Sequence, residues 1–154
     1  MLKRILSNSV EWVCMVLMVV LSIDLLLGVF SRYVLVRTFT WYDEIARVCF
    51  VWLTFLGAAV GVKRLAHFRL LIVVDRLSPR LRQATVILLP LVVIVFAVVL
   101  IQQGLVFLEL GRLQQTPVMG LPKTWIYVAI PVGGALMILF SLRPLWRAIR
   151  GGTR

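Results

Sequence analysis

Few ionisable side chains in this chain sit within or beside apolar sequence. Among them are Asp24, then Asp43, Glu44 and Arg47, and then Lys63, Arg64 and the only histidine, His67. Asp24 interrupts a run of Leu, Val and Met. A carboxylate in such a setting can carry a proton or a substrate charge, or it can pair with a cation. Arg47 is the candidate for that pair, because it enters from the same side on the next helix, and the structural pair is the preferred reading. Asp43 and Glu44 precede Arg47 by four and three residues, the spacing at which side chains meet on a helix. Negative charge in a first turn also complements the helix dipole. As an exposed pair the cluster contributes only tenths of a kcal/mol. Its expected use is to neutralise Arg47 at a helix entrance rather than to do chemistry.

The remaining chemistry is marked by what is missing. One histidine cannot supply bis-histidine haem ligation or a histidine-rich metal site. No C-x-x-C pair, Walker A sequence or glycine-rich phosphate loop occurs. A serine hydrolase would need His67 as its base, with no obvious serine partner, and His67 reads instead as a packed or headgroup-facing residue. The chain is therefore expected not to be an enzyme and to carry no cofactor or metal. Cys14 and Cys49 fall at different depths of successive antiparallel helices, which argues against a disulfide. They read as small apolar packing residues.

The elements that hold these residues follow from the composition. Of 154 residues, 62% are hydrophobic and 15% charged, with a mean hydropathy of +1.03. Soluble domains are about half apolar and about a quarter charged, so the solvent for this chain is a bilayer. A helical span needs about 20 mostly apolar residues, which predicts spans at Val10–Phe30, Glu44–Val62, Thr85–Leu108 and Trp125–Leu142. The first run is too long for a signal peptide, and Ser31-Arg32-Tyr33 is not a small-residue cleavage site. It is read as a retained span. An ionisable group at the depth of Asp24 costs roughly 2.5–3.5 kcal/mol on insertion scales, so it is expected to face protein or water.

The formal charge of +11 would suggest nucleic acid in a soluble protein. Here its distribution reads as topology. Twelve of the seventeen basic residues fall in the two tails and the loop after span two. Both termini are then cytoplasmic by the positive-inside rule. The expected fold class is all-α integral membrane: one four-helix domain over residues 1–154, with both termini cytoplasmic and an amphipathic interfacial segment over 64–83.

Several stretches read as interface. At about 100° per residue, Asp43, Arg47, Phe50, Thr54, Gly57, Ala58 and Gly61 share one face of span two. Trp41, Ile45, Val48, Trp52, Phe55 and Ala59 share the other. Gly57-x-x-x-Gly61 leaves a flat strip where another backbone can approach closely. Pro90 sits about one turn into span three, where a kink is tolerable in a membrane helix, and Gln102, Gln103 and Glu109 make its outer end polar. The outer loop from Gly111 to Lys123, with two prolines and two glycines, reads as rigid and turn-bound. Trp125 and Tyr127 fit an interfacial aromatic belt, and Ala129-x-x-x-Gly133 is a second small-residue strip.

Three motifs together resemble a known family. They are Trp41-x-Asp43-Glu44-x-x-Arg47, then Phe50-x-Trp52-x-x-Phe55-x-Gly57-Ala58, then Lys63-Arg64-x-x-His67. The pattern is similar to the small, DctQ-type membrane subunit of tripartite ATP-independent periplasmic (TRAP) transporters. Gln115-Thr116-Pro117-x-x-x-Leu121-Pro122 and Tyr127-x-x-Ile130-Pro131-x-Gly133 match that family's second characteristic region. Length, span count and topology agree over nearly the whole chain.

The resemblance implies a non-catalytic scaffold in the bacterial inner membrane, in a sodium-driven uptake system for organic acids. Its partners would be a large elevator-type membrane subunit, a transient periplasmic substrate-binding protein and phospholipids, with no nucleic acid. The implied subunit interface comprises Trp41, Asp43, Glu44, Arg47, Phe50, Trp52, Gly57, Gly61 and His67. The implied periplasmic docking loop comprises Gln115, Thr116, Pro117, Leu121 and Pro122. Which of Asp43 and Glu44 dominates is left open. Two alternatives stand beside this reading: a stand-alone proton-coupled exporter using Asp24, and an orphan four-helix membrane protein of assembly or regulatory type.

Overall fold

The computed structural model describes residues 2–36, 40–67 and 79–150. The expected interfacial segment over 64–83 lies for the most part outside the described residues. The described residues form five helices: α1 (Leu2–Tyr33), α2 (Trp41–His67), α3 (Pro79–Arg112), α4 (Thr124–Tyr127) and α5 (Ala129–Arg150). Among the described residues there is no strand, only a lone bridge between Gln115 and Pro122. Four stretches are long and apolar enough to cross a bilayer: Ser9–Tyr33, Trp41–Arg64, Ile87–Arg112 and Thr124–Trp146. The chain is an all-α, four-span membrane protein, and the spans run a few residues beyond the boundaries expected from hydropathy, except that the third begins two residues later than expected.

The fourth span is built from two helices with a physical reason for the break. Pro131 has no N–H to donate to the Tyr127 carbonyl, so that rung is missing between Val128, which donates to Thr124 at 2.9 Å, and Val132, which donates to Val128 at 3.2 Å. The backbone at Val128 stays helical, with φ −56° and ψ −29°, and the direction of the span is kept. Pro90 is carried inside α3 without ending it.

α5 is the centre of the bundle, with α3 on one side and α2 on the other, and α1 packs on α2. Adjacent glycines let α5 approach both neighbours. A side-chain carbon at Gly133 would sit 2.7 Å from Phe55 Cβ and 3.1 Å from its carbonyl oxygen; one at Gly134 would sit 2.8 Å from Ile101 Cγ1 and 3.1 Å from the Ala97 oxygen. Two apolar clusters fill the layers between helices. One joins Val10, Leu56 and Val60 with Cys14, Leu17, Trp52 and Leu136. The other joins Ala59, Ala97 and Met137 with Val62, Val93, Leu100 and Phe140. Cys14 and Cys49 are both free thiols.

Candidate functional site

At the end of the bundle where α2 begins, neighbouring acids part company because successive helical residues are rotated by about 100°. Glu44 turns toward the α3–α4 connection. Its Oε1 accepts the Val118 N–H at 2.8 Å and its Oε2 accepts the Met119 N–H at 3.0 Å. The Thr116 hydroxyl also bonds this carboxylate. Asp43 turns the other way, into a cavity against α1 that it shares with Asp24, Arg32 and Tyr42.

This corrects two expectations. Neither Asp43 nor Glu44 forms an ion pair with Arg47, and Asp24 does not pair with Arg47 either. Among the described residues both ion pairs are made by Glu11. The reason lies in competition. A carboxylate offered two fixed amides gains charge-assisted hydrogen bonds without immobilising an arginine side chain. Arg47 stays exposed.

The loop that Glu44 holds is closed by its own bonds. Thr116 N–H donates to the Leu121 oxygen at 2.8 Å, Gly120 N–H to the Thr116 oxygen at 3.1 Å, and Lys123 N–H to the Gln114 oxygen at 3.0 Å. Leu121 N–H donates to Thr116 Oγ1 at 3.0 Å, and Lys123 Nζ donates to Gln114 Oε1 at 3.1 Å. Gly120 adopts φ +64°, which glycine does without a Cβ clash. Gln115 and Pro122 face each other across the base, and Thr116 is buried. Pro117, Val118, Met119 and Leu121 remain at the exposed tip.

The two faces of span two are used differently. The aromatic side is taken up inside the chain: Trp52 Nε1 donates to the Trp125 carbonyl at 3.0 Å, Phe55 lies against Gly133, and Ala59 is fully buried. A partner cannot also occupy those contacts. The opposite strip stays open. Phe50 is 62% exposed, Thr54 and Ala58 are exposed, and nothing lies within 4 Å of a carbon added at Gly57 or Gly61. Trp41 stacks at a tilt on Tyr42, with centroids 3.8 Å apart. His67 ends α2, and its side chain lies outside the described residues.

The other end of α2 carries a contact that the motifs did not reveal. Lys63 Nζ donates to Glu11 Oε1, and Arg64 lies 3.6 Å from Glu11 Oε2. The available signal was positional: in an antiparallel hairpin, an acid at the start of span one comes level with the Lys-Arg pair that ends span two. No cluster of three or more metal-ligating side chains occurs among the described residues.

The four-span bundle thus leaves one strip of α2 bare and pins a loop at the end where α2 begins. Residues 21–151 match the family described as tripartite ATP-independent periplasmic transporters, DctQ component, and the chain belongs to that family. The chain is 25% identical over 150 residues to the sialic acid TRAP transporter small permease protein SiaQ of Vibrio cholerae, covering 97% of this chain and 87% of that one. It is 24% identical over 136 residues to a putative TRAP transporter small permease protein of Haemophilus influenzae, covering 88% and 84%. It is also 29% identical over 112 residues to the isethionate TRAP transporter permease protein DctMQ of Oleidesulfovibrio alaskensis, covering 71% of this chain but 18% of that longer one. The protein is thus a multi-pass, non-enzymatic TRAP small permease subunit. Nothing in these relatives supports a stand-alone exporter.

Proposed function

We propose that the chain is the scaffold subunit of a sodium-driven TRAP uptake transporter for organic acids in a bacterial inner membrane, with both termini cytoplasmic. Its open strip, Phe50, Thr54, Gly57, Ala58 and Gly61, lies against the large membrane subunit. The loop tip at Pro117–Leu121, held by Glu44, forms part of the periplasmic surface on which the binding protein docks. The observation that carries the interface is the contrast between glycine pairs. Gly133 and Gly134 are filled by the chain's own helices, whereas Gly57 and Gly61 have no neighbour. In a bilayer, small residues earn close packing only when another helix fills the strip. Relatives in which the small and large parts are fused into one permease, as the name DctMQ suggests, support a large-subunit partner.

Co-expression with a tagged large subunit in lipid nanodiscs tests this reading. The wild-type chain is expected to co-purify, and Gly57→Leu with Gly61→Leu is expected to abolish the complex. Absence of a wild-type complex would refute the scaffold role. A complex indifferent to the double substitution would move the interface elsewhere.

A further inference from the structure

We propose that the cavity between α1 and α2 around Asp24 receives one cationic side chain, a lysine or arginine, from a transmembrane helix of the large subunit. This rests on the scaffold reading above. Asp24 is 6% exposed, and its Oδ2 is buried without a hydrogen-bond partner. The same residue lines a cavity of about 280 Å³. Asp43 and Tyr42 line it from α2, and Arg32 and Tyr33 line it from α1. Gly28, with only Tyr42 nearby at 3.8 Å from an added carbon, leaves the space open. Two carboxylates against one guanidinium leave the cavity net negative. Among the described residues no cation forms an ion pair with either acid, since both ion pairs belong to Glu11.

Depth and size select the occupant. Asp24 lies one helical turn, about 6 Å, below Gly28, which stands level with Tyr42 in the first turn of α2. A side chain on a neighbouring helix reaches the cavity sideways at that depth. The volume falls just under the range of small-molecule sites, roughly 300–1,000 Å³, and suits the end of a long side chain. Leu25 and Val29 on the same helix are exposed, so a second helix has a surface on which to lie. Ionisable side chains within spans are rare and pair with a partner or face water, and among the described residues Asp24 has no cationic partner.

The test uses the two-subunit complex in nanodiscs. Asp24→Asn, which keeps the shape, and Gly28→Leu, which fills the cavity while leaving Asp24 in place, are each expected to lower complex recovery by about tenfold or more. Asp24→Lys is expected to abolish recovery. Reversal to Glu of one intramembrane lysine or arginine of the large subunit, scanned one at a time, is expected to restore it. If the wild-type complex forms and Asp24→Asn leaves recovery unchanged, the inference is wrong while the scaffold role stands. If no reversal rescues Asp24→Lys, the inference also fails. Native mass spectrometry supplies a third refutation: loss of a bound phosphatidylethanolamine in Asp24→Asn with the complex intact would assign the cavity to lipid. Failure of the wild-type chains to assemble would instead overturn the scaffold role itself.

Discussion

Removing the Glu44 carboxylate tests how the α3–α4 loop is held. In Glu44→Ala the amides of Val118 and Met119 lose acceptors at 2.8 and 3.0 Å. Both bonds are charge-assisted, but the loop tip is exposed, with Val118 at 47%, and water replaces part of what is lost. The open form of the loop should become on the order of tenfold more populated. Hydrogen exchange over the peptide spanning Leu113 to Lys123 should quicken by that factor. Asp43→Ala should leave the same peptide unchanged, because Asp43 faces the α1 cavity. Equal protection in Glu44→Ala and wild type would refute the clamp. Loosening of the loop by Arg47→Ala would also count against it, by returning Arg47 to the cluster.

Further outcomes follow from the packing. Gly133→Ala drives a carbon to 2.7 Å from Phe55 Cβ and 3.1 Å from its carbonyl oxygen and should destabilise the detergent-solubilised chain by about 1–3 kcal/mol. Gly57→Ala, with nothing within 4 Å, should leave its melting temperature unchanged. Trp52→Phe removes the donor to the Trp125 carbonyl and should lower stability by about 1 kcal/mol, read as a drop in melting temperature. For Glu11 with Lys63, whose side chains are only partly exposed, a double-mutant cycle with Gln and Met should give a coupling of about 1 kcal/mol or less. A coupling indistinguishable from zero would remove this contact as a tie between α1 and α2.

Much of the architecture was legible because it depends on one dimension. Apolar run length against bilayer thickness defines the spans, and every one of them begins and ends within a few residues of its expected position. Ala129-x-x-x-Gly133 marked a close approach in the fourth span, since a small residue acts on the backbone where it stands, whereas the division of that span at Pro131 came from the structure. The candidate site was legible only as a group. Trp41, Asp43, Glu44 and Arg47 do gather at the start of α2, yet Glu44 bonds a loop more than seventy residues onward. Glu11, which the motifs passed over, makes both ion pairs to the end of α2.

The sequence by itself therefore determined the solvent, the number of spans, the absence of enzymatic chemistry and the family, because composition, run length and motif spacing need no knowledge of rotation. Only the tertiary structure decided which acid bonds which partner and which face of α2 stays open. Those outcomes depend on how each helix is turned about its axis and on where the α3–α4 loop closes. A shift of one residue, about 100° around a helix, is what separates Glu44 on its loop amides from Asp43 beside the unpartnered Oδ2 of Asp24.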